Sequence, residues 1–241
     1  MGTASLSCPG SFRLITRKPV FDHPKDAHPL TRFNHARVIP MQYQLERLTK
    51  AGRLEQIGDW QSLRLFCVEW VNFEPKNPFA WLALGNSLRR LNEPEEAIAM
   101  YQTGLELVPP NPVEFMGFSL SPGPFWFGLG NAFFDVGQFQ KAVDAFLKCI
   151  EIDPDVSAIW NDLGRAYMNR TPRDSQAAFK AFRRAMDLDP NDITSLKNLG
   201  LVYAMGSLKQ GVDQVYQLLL NMDKSAAELF LKEARHILAS R

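Results

Sequence analysis

Residues 78–111 read PFAWLALGNSLRRLNEPEEAIAMYQTGLELVPPN, and residues 123–156 read GPFWFGLGNAFFDVGQFQKAVDAFLKCIEIDPDV. The second stretch repeats the first by residue type. Trp81 answers Trp126, Leu84 answers Leu129, Gly85 answers Gly130 and Leu88 answers Phe133. Farther on, Ala97 answers Ala142, Tyr101 answers Phe146, Gly104 answers Cys149 and Pro109 answers Pro154. The first set in each copy has the spacing of one helix face, with glycine where a neighbouring helix comes close. The second set forms another single face, in which small residues admit the partner helix. The proline then ends the second helix, because it cannot extend one. Each copy is thus a helix–turn–helix unit, and repetition at a fixed period implies a stacked array.

Working outward, residues 157–192 form a further copy through Trp160, Leu163, Gly164, Tyr167, Ala178, Phe182, Ala185 and Pro190. It is longer around Thr171-Pro172-Arg173, which the inter-helix turn absorbs more easily than a packed helix would. Residues 44–77 are a degenerate first copy. The turn Gly58-Asp59-Trp60 and Pro75 set its register. Leu48, Ala51, Leu54 and Ile57 give one apolar face, and Leu63, Phe66, Cys67, Trp70 and Val71 give the other. A partial unit over 193–222 begins with Leu196, Leu199, Gly200 and Tyr203 and departs from the pattern in its second helix. Residues 225–240 read as a final amphipathic helix that caps the last apolar face, an alternative being a helix offered to a partner.

The typed positions resemble the tetratricopeptide repeat family over roughly Gln44 to Leu208. The resemblance implies an all-α fold, an α-solenoid of antiparallel helix pairs with about four units in residues 41–241. It also implies a concave groove lined by the first helix of each pair. Carried over by register, the ligand-facing positions include Leu82, Asn86 and Arg89 in one unit and Phe127, Asn131 and Phe134 in the next. Asn161, Arg165 and Met168 follow, then Lys197 and Leu201. The asparagine amides offer a donor and an acceptor to an extended backbone. The aromatic and aliphatic members would bury apolar side chains of a partner. Arg89, Arg165 and Lys197 would favour an acidic segment or a free C-terminus. The family's carboxylate clamp expects a lysine where Leu82 stands, which argues against a heat-shock-chaperone cofactor.

Two stretches stand apart from the repeats. Residues 112–122, PVEFMGFSLSP, insert at a repeat junction and are too apolar for a free loop. They fold back over a helix or act as a lid at one end of the groove. Residues 1–40 carry Arg13, Arg17, Lys18, Lys25, Arg32 and Arg37 against Asp22 and Asp26, with Pro9, Pro19, Pro24, Pro29 and Pro40 breaking any helical pattern. They read as an extended or disordered basic arm. They lack the apolar core of a secretory signal, and an organellar transit peptide is the alternative.

The whole-chain charge of +1 gives no argument for nucleic acid as partner. Cys8, Cys67 and Cys149 are too scattered for a disulfide framework or a zinc cluster, and His23, His28 and His35 lack paired cysteines. No apolar run is long enough to span a membrane. No phosphate loop, nucleophile elbow or His-Glu-x-x-His occurs. The expectation is therefore a non-enzymatic cytoplasmic scaffold with no catalytic residues, metal or cofactor. It would bind an extended peptide or helix of another protein. Alternatives are a secretion-type chaperone for export cargo and an assembly factor of a membrane or organellar complex.

Overall fold

A computed structural model describes residues 41–115 and 118–240. The basic arm expected over 1–40 lies outside the described residues. The described chain is a run of helices, α1 (Met41–Ile57), α2 (Trp60–Phe73), α3 (Pro78–Arg90) and α4 (Pro94–Leu105), then two short strands, β1 (Val113–Phe115) and β2 (Phe118–Leu120). The helices resume with α5 (Gly123–Asp135), α6 (Phe139–Ile152), α7 (Ser157–Asn169), α8 (Ser175–Leu188), α9 (Ile193–Met205), α10 (Lys209–Met222) and α11 (Lys224–Ala239).

Local signals explain the helix boundaries. Asp59, Asn77, Asp174, Asp192 and Asp223 are N-caps whose side chains accept backbone N–H groups of the first turn. Each such cap contributes about 1 kcal/mol. Pro78 and Pro94 lie in the first turn of their helices, where no intrahelical N–H is lost. The turns inside the helix pairs use left-handed backbone at Gly58, Asn92, Gly137 and Ser207. The α7–α8 turn, with its extra residues around Pro172, needs none there.

Packing repeats with the sequence. The Tyr101 ring lies between Gly85 of its own pair and Gly128 of the next. A β-carbon on either glycine would fall 2.6 Å from ring carbons. Phe146 lies against Gly130 and Phe182 against Gly164 in the same way. These rings are fully buried, and each contributes roughly 2–3 kcal/mol of apolar burial. Two tryptophans lace successive pairs together: Trp81 Nε1 donates to the Pro75 carbonyl at 2.8 Å, and Trp160 Nε1 donates to that of Pro154 at 2.7 Å. The unit-ending prolines therefore also supply a carbonyl to the next pair.

The ends of the array are finished differently from its middle. The outward face of α1 carries Glu46, Thr49, Lys50 and Arg53, all exposed, where later first helices bury small or apolar residues. At the other end, α10 brings Val215 to Gly200, and the ring there comes from α11 as Phe230. Helix α11 thus covers the last apolar face while exposing Glu228, Lys232, Glu233 and Arg235.

The insertion forms an antiparallel ribbon, with Val113 paired to Leu120 and Glu114 to Ser119. Its strands pair with each other, and Leu120 packs against the main core cluster. An apolar stretch bounded by prolines gives no alternation long enough to reveal so short a ribbon.

Candidate peptide-binding groove

First helices of successive pairs touch one another in the order α1–α3–α5–α7–α9, whereas among the described residues α4, α6 and α8 do not meet. The inner surface of the curve is therefore built from first helices. Helix geometry then decides which residues each one presents.

The structure separates the expected groove residues into three groups. Leu82 is 3% exposed and belongs to the core cluster that holds Leu48 and Ala51 of α1. Its side chain is thus withdrawn from the inner surface, and little of it is open to a ligand. Asn161 is also withdrawn, at 8% exposure, and its Oδ1 accepts a hydrogen bond from Asn198 Nδ2 at 2.9 Å.

The second group is already engaged in hydrogen bonds. Asn86 Nδ2 donates to Glu55 Oε1 at 2.9 Å, and the Tyr101 hydroxyl donates to Asn86 Oδ1 at 2.9 Å. Arg89 donates to Asp135 Oδ2 at 3.3 Å, and its charge lies close enough to the Tyr101 oxygen to act on it. Burial pushes the Glu55 carboxyl up to about 6, against the lowering effects of Asn86 and the Arg90 charge. Burial likewise raises the Tyr101 phenol, although Arg89 works in the opposite direction.

The third group lines α5, α7 and α9. Phe127 is half-buried with its ring 6.1 Å from that of Phe146. Phe134 is half-buried, and the Arg165 guanidinium lies 4.5 Å over its ring. Arg165 also donates to Asp162 Oδ1 at 3.0 Å. Burial raises the Asp162 carboxyl despite the adjacent Arg165 charge. Asn131 Nδ2 donates back to the Phe127 carbonyl at 3.1 Å. Met168 and Leu201 are half-buried at the edges of neighbouring apolar clusters. Lys197 is half-buried, and among the described residues no acid pairs with it.

These pairs act on the local positive charge expected at Arg89, Arg165 and Lys197. Asp135 neutralises Arg89 and Asp162 neutralises Arg165, leaving Lys197 as the cation without an acidic partner. Sequence reasoning missed Glu55, Asp162 and Asn198. It placed Tyr101 in the core without using its hydroxyl. The available signal was that Tyr101 occupies a slot where its counterparts are Phe146 and Phe182.

Two family models match the inner copies. Both describe the tetratricopeptide repeat, one over residues 78–111 and the other over residues 124–156. Residues 78–111 and 124–156 are tetratricopeptide repeats. Among curated relatives, tetratricopeptide repeat protein 37 of Xenopus laevis is 30% identical over 96 residues, covering 39% of this chain and 6% of that protein. The peroxisomal targeting signal receptor of Candida albicans is 34% identical over 74 residues, covering 31% of this chain and 12% of the receptor. The chain thus spans a small part of the length of the relatives it matches. Solved repeat structures share the fold. Crystalline YrrB, described as a TPR protein with an unusual peptide-binding site, superposes with a TM-score of 0.60 at 15% identity, covering 80% of this chain and 98% of that one. The PilF protein of Pseudomonas aeruginosa superposes with a TM-score of 0.63 at 15% identity, covering 83% and 88%.

The repeat array carries two buried thiols with no sign of activation. Burial raises both Cys67 and Cys149, the latter to about 12, so neither is a ready nucleophile at neutral pH. Among the described residues, no cluster of three or more His, Cys, Asp or Glu side chains could hold a metal ion, and no helix is long and apolar enough to cross a membrane.

Proposed function

We propose that this protein is a non-catalytic interaction scaffold that holds a short extended segment of another protein along α5, α7 and α9. The observation that carries the reading is the row of half-buried Phe127, Phe134, Met168, Lys197 and Leu201, with exposed Arg165 among them, on adjacent first helices. The row alternates apolar anchors with polar groups, the composition that peptide grooves use. Supporting it, YrrB has a similar fold and is described as having a peptide-binding site, and the matched receptors are named for a targeting signal.

Geometry bounds the ligand. Adjacent packed helices lie about 10 Å apart, so three first helices span roughly 20 Å, or about six residues of extended chain. Two apolar side chains of that segment rest on the Phe127–Phe134 and Met168–Leu201 positions. An acidic side chain or a terminal carboxylate meets Lys197. The helices are ordered before binding, so the entropy cost falls mainly on the ligand.

The test compares partners captured by the wild-type protein and by an Asn131→Ala/Arg165→Ala variant. A partner retained by the first and lost by the second supports the groove. Identical partner sets overturn it and redirect attention to the ribbon or α11.

A further inference from the structure

We propose that a polar network, Glu55–Asn86–Tyr101 beside Arg89–Asp135, closes the first-repeat end of the groove and confines the ligand to α5–α9, with Tyr101 as the positioning residue. The inference rests on the groove reading above, because it states where that groove stops.

The network crosses four helices. Glu55 on α1 accepts from the Asn86 amide on α3, and the Asn86 carbonyl accepts from the Tyr101 hydroxyl on α4. The Arg89 charge lies beside the Tyr101 oxygen, and Arg89 donates to Asp135 on α5. The bonds to Glu55 and from Tyr101 fix which way the Asn86 amide faces. Arg90 adds its charge beside Glu55 and lies 5.2 Å over the Trp60 ring. A ligand on α3 would have to exchange existing bonds for new ones, with little net gain. Leu82, only 3% exposed, offers little apolar surface to repay the exchange.

The other end of the inner surface differs. Asn131 donates only to its own helix, leaving its carbonyl oxygen without a donor among the described residues. Lys197 lacks an acidic partner among them. Polar groups with unused capacity are therefore concentrated on α5 and α9.

Tyr101 can be tested without disturbing the packing. Phe146 and Phe182 occupy the equivalent slots against Gly130 and Gly164, so a phenylalanine ring fits there. Tyr101→Phe removes the hydroxyl that bonds Asn86 beside Arg89 and leaves the ring.

Two measurements decide the matter. In the free protein, side-chain amide exchange by NMR should show Asn86 protected relative to exposed Asn221. Tyr101→Phe should raise the Asn86 rate about tenfold, the effect of losing roughly one hydrogen bond, with the far-ultraviolet spectrum unchanged. Asn86 exchanging as fast as Asn221, or a rate unmoved by Tyr101→Phe, overturns the proposal. Second, a displayed random heptapeptide library is selected on the wild-type protein, and the most enriched peptide is mapped by hydrogen–deuterium exchange. Protection of α5, α7 and α9 without α3, extending onto α3 in Tyr101→Phe, supports the closure. Protection of α3 in the wild type refutes it. Failure of any peptide to enrich counts against the groove itself, while the amide exchange still decides the polar network.

Discussion

Replacing Gly128 by alanine sets a methyl group 2.6 Å from Cε1 and Cζ of Tyr101. The ring is fully buried and already lies against Gly85 on its other contact, so it has no open space to enter. Overpacking of this kind costs about 1–3 kcal/mol. Alanine in a helix interior recovers about 0.5–1 kcal/mol over glycine, so the net expectation is a loss of roughly 1–2 kcal/mol. Gly52 in α1 is the internal control, because nothing lies within 4 Å of the β-carbon it would gain. Gly52→Ala should therefore stabilise by about 0.5–1 kcal/mol. Urea denaturation followed by circular dichroism would read both changes. In thermal scans the variants should separate by roughly 4–8 °C for a chain of this size. Combining Gly128→Ala with Tyr101→Leu should be less destabilising than the two single losses added, since the smaller side chain relieves the overlap. Should Gly128→Ala stabilise as Gly52→Ala does, the close approach of ring and glycine is not what holds successive pairs together.

Further predictions follow from the end cap, the thiols and the buried carboxylate. Phe230→Ala should cost about 3–5 kcal/mol and release α11 first, seen as faster backbone exchange there than in α5–α6. Cys67 and Cys149 should react with a disulfide reagent in urea but only slowly in the folded protein, because burial raises both thiols; rapid native labelling would contradict the described core. Glu55 titrates near 6 in the fold against an ordinary 4.5, so its contribution is fully present below 4.5 and is lost as pH rises through 6. The displacement corresponds to at most roughly 2 kcal/mol. Buried Asp162, also raised, acts with the same sign. In Glu55→Gln this part of the pH dependence should flatten, and an unchanged stability–pH curve would remove Glu55 from the buried network.

By itself, the sequence determined the units. The typed spacing of Trp81, Leu84, Gly85 and Leu88, answered by Trp126, Leu129, Gly130 and Phe133, specifies helix faces through local periodicity, which needs no tertiary information. It also placed Phe127, Phe134, Arg165, Met168, Lys197 and Leu201 on first helices, because register follows from the repeat. Only the tertiary structure decided which of those positions remain open. Leu82 and Phe127 share a register position, yet Leu82 is buried and Phe127 half-buried. The Arg89–Asp135 pair and the Glu55–Asn86–Tyr101 bonds join residues separated by 15 to 46 positions, beyond any local pattern. The ribbon arises likewise from pairing within a stretch whose composition alone allowed several folds. Local periodicity fixes helix and face. Availability for binding depends on which neighbouring helix arrives to cover the face and which side chain it brings.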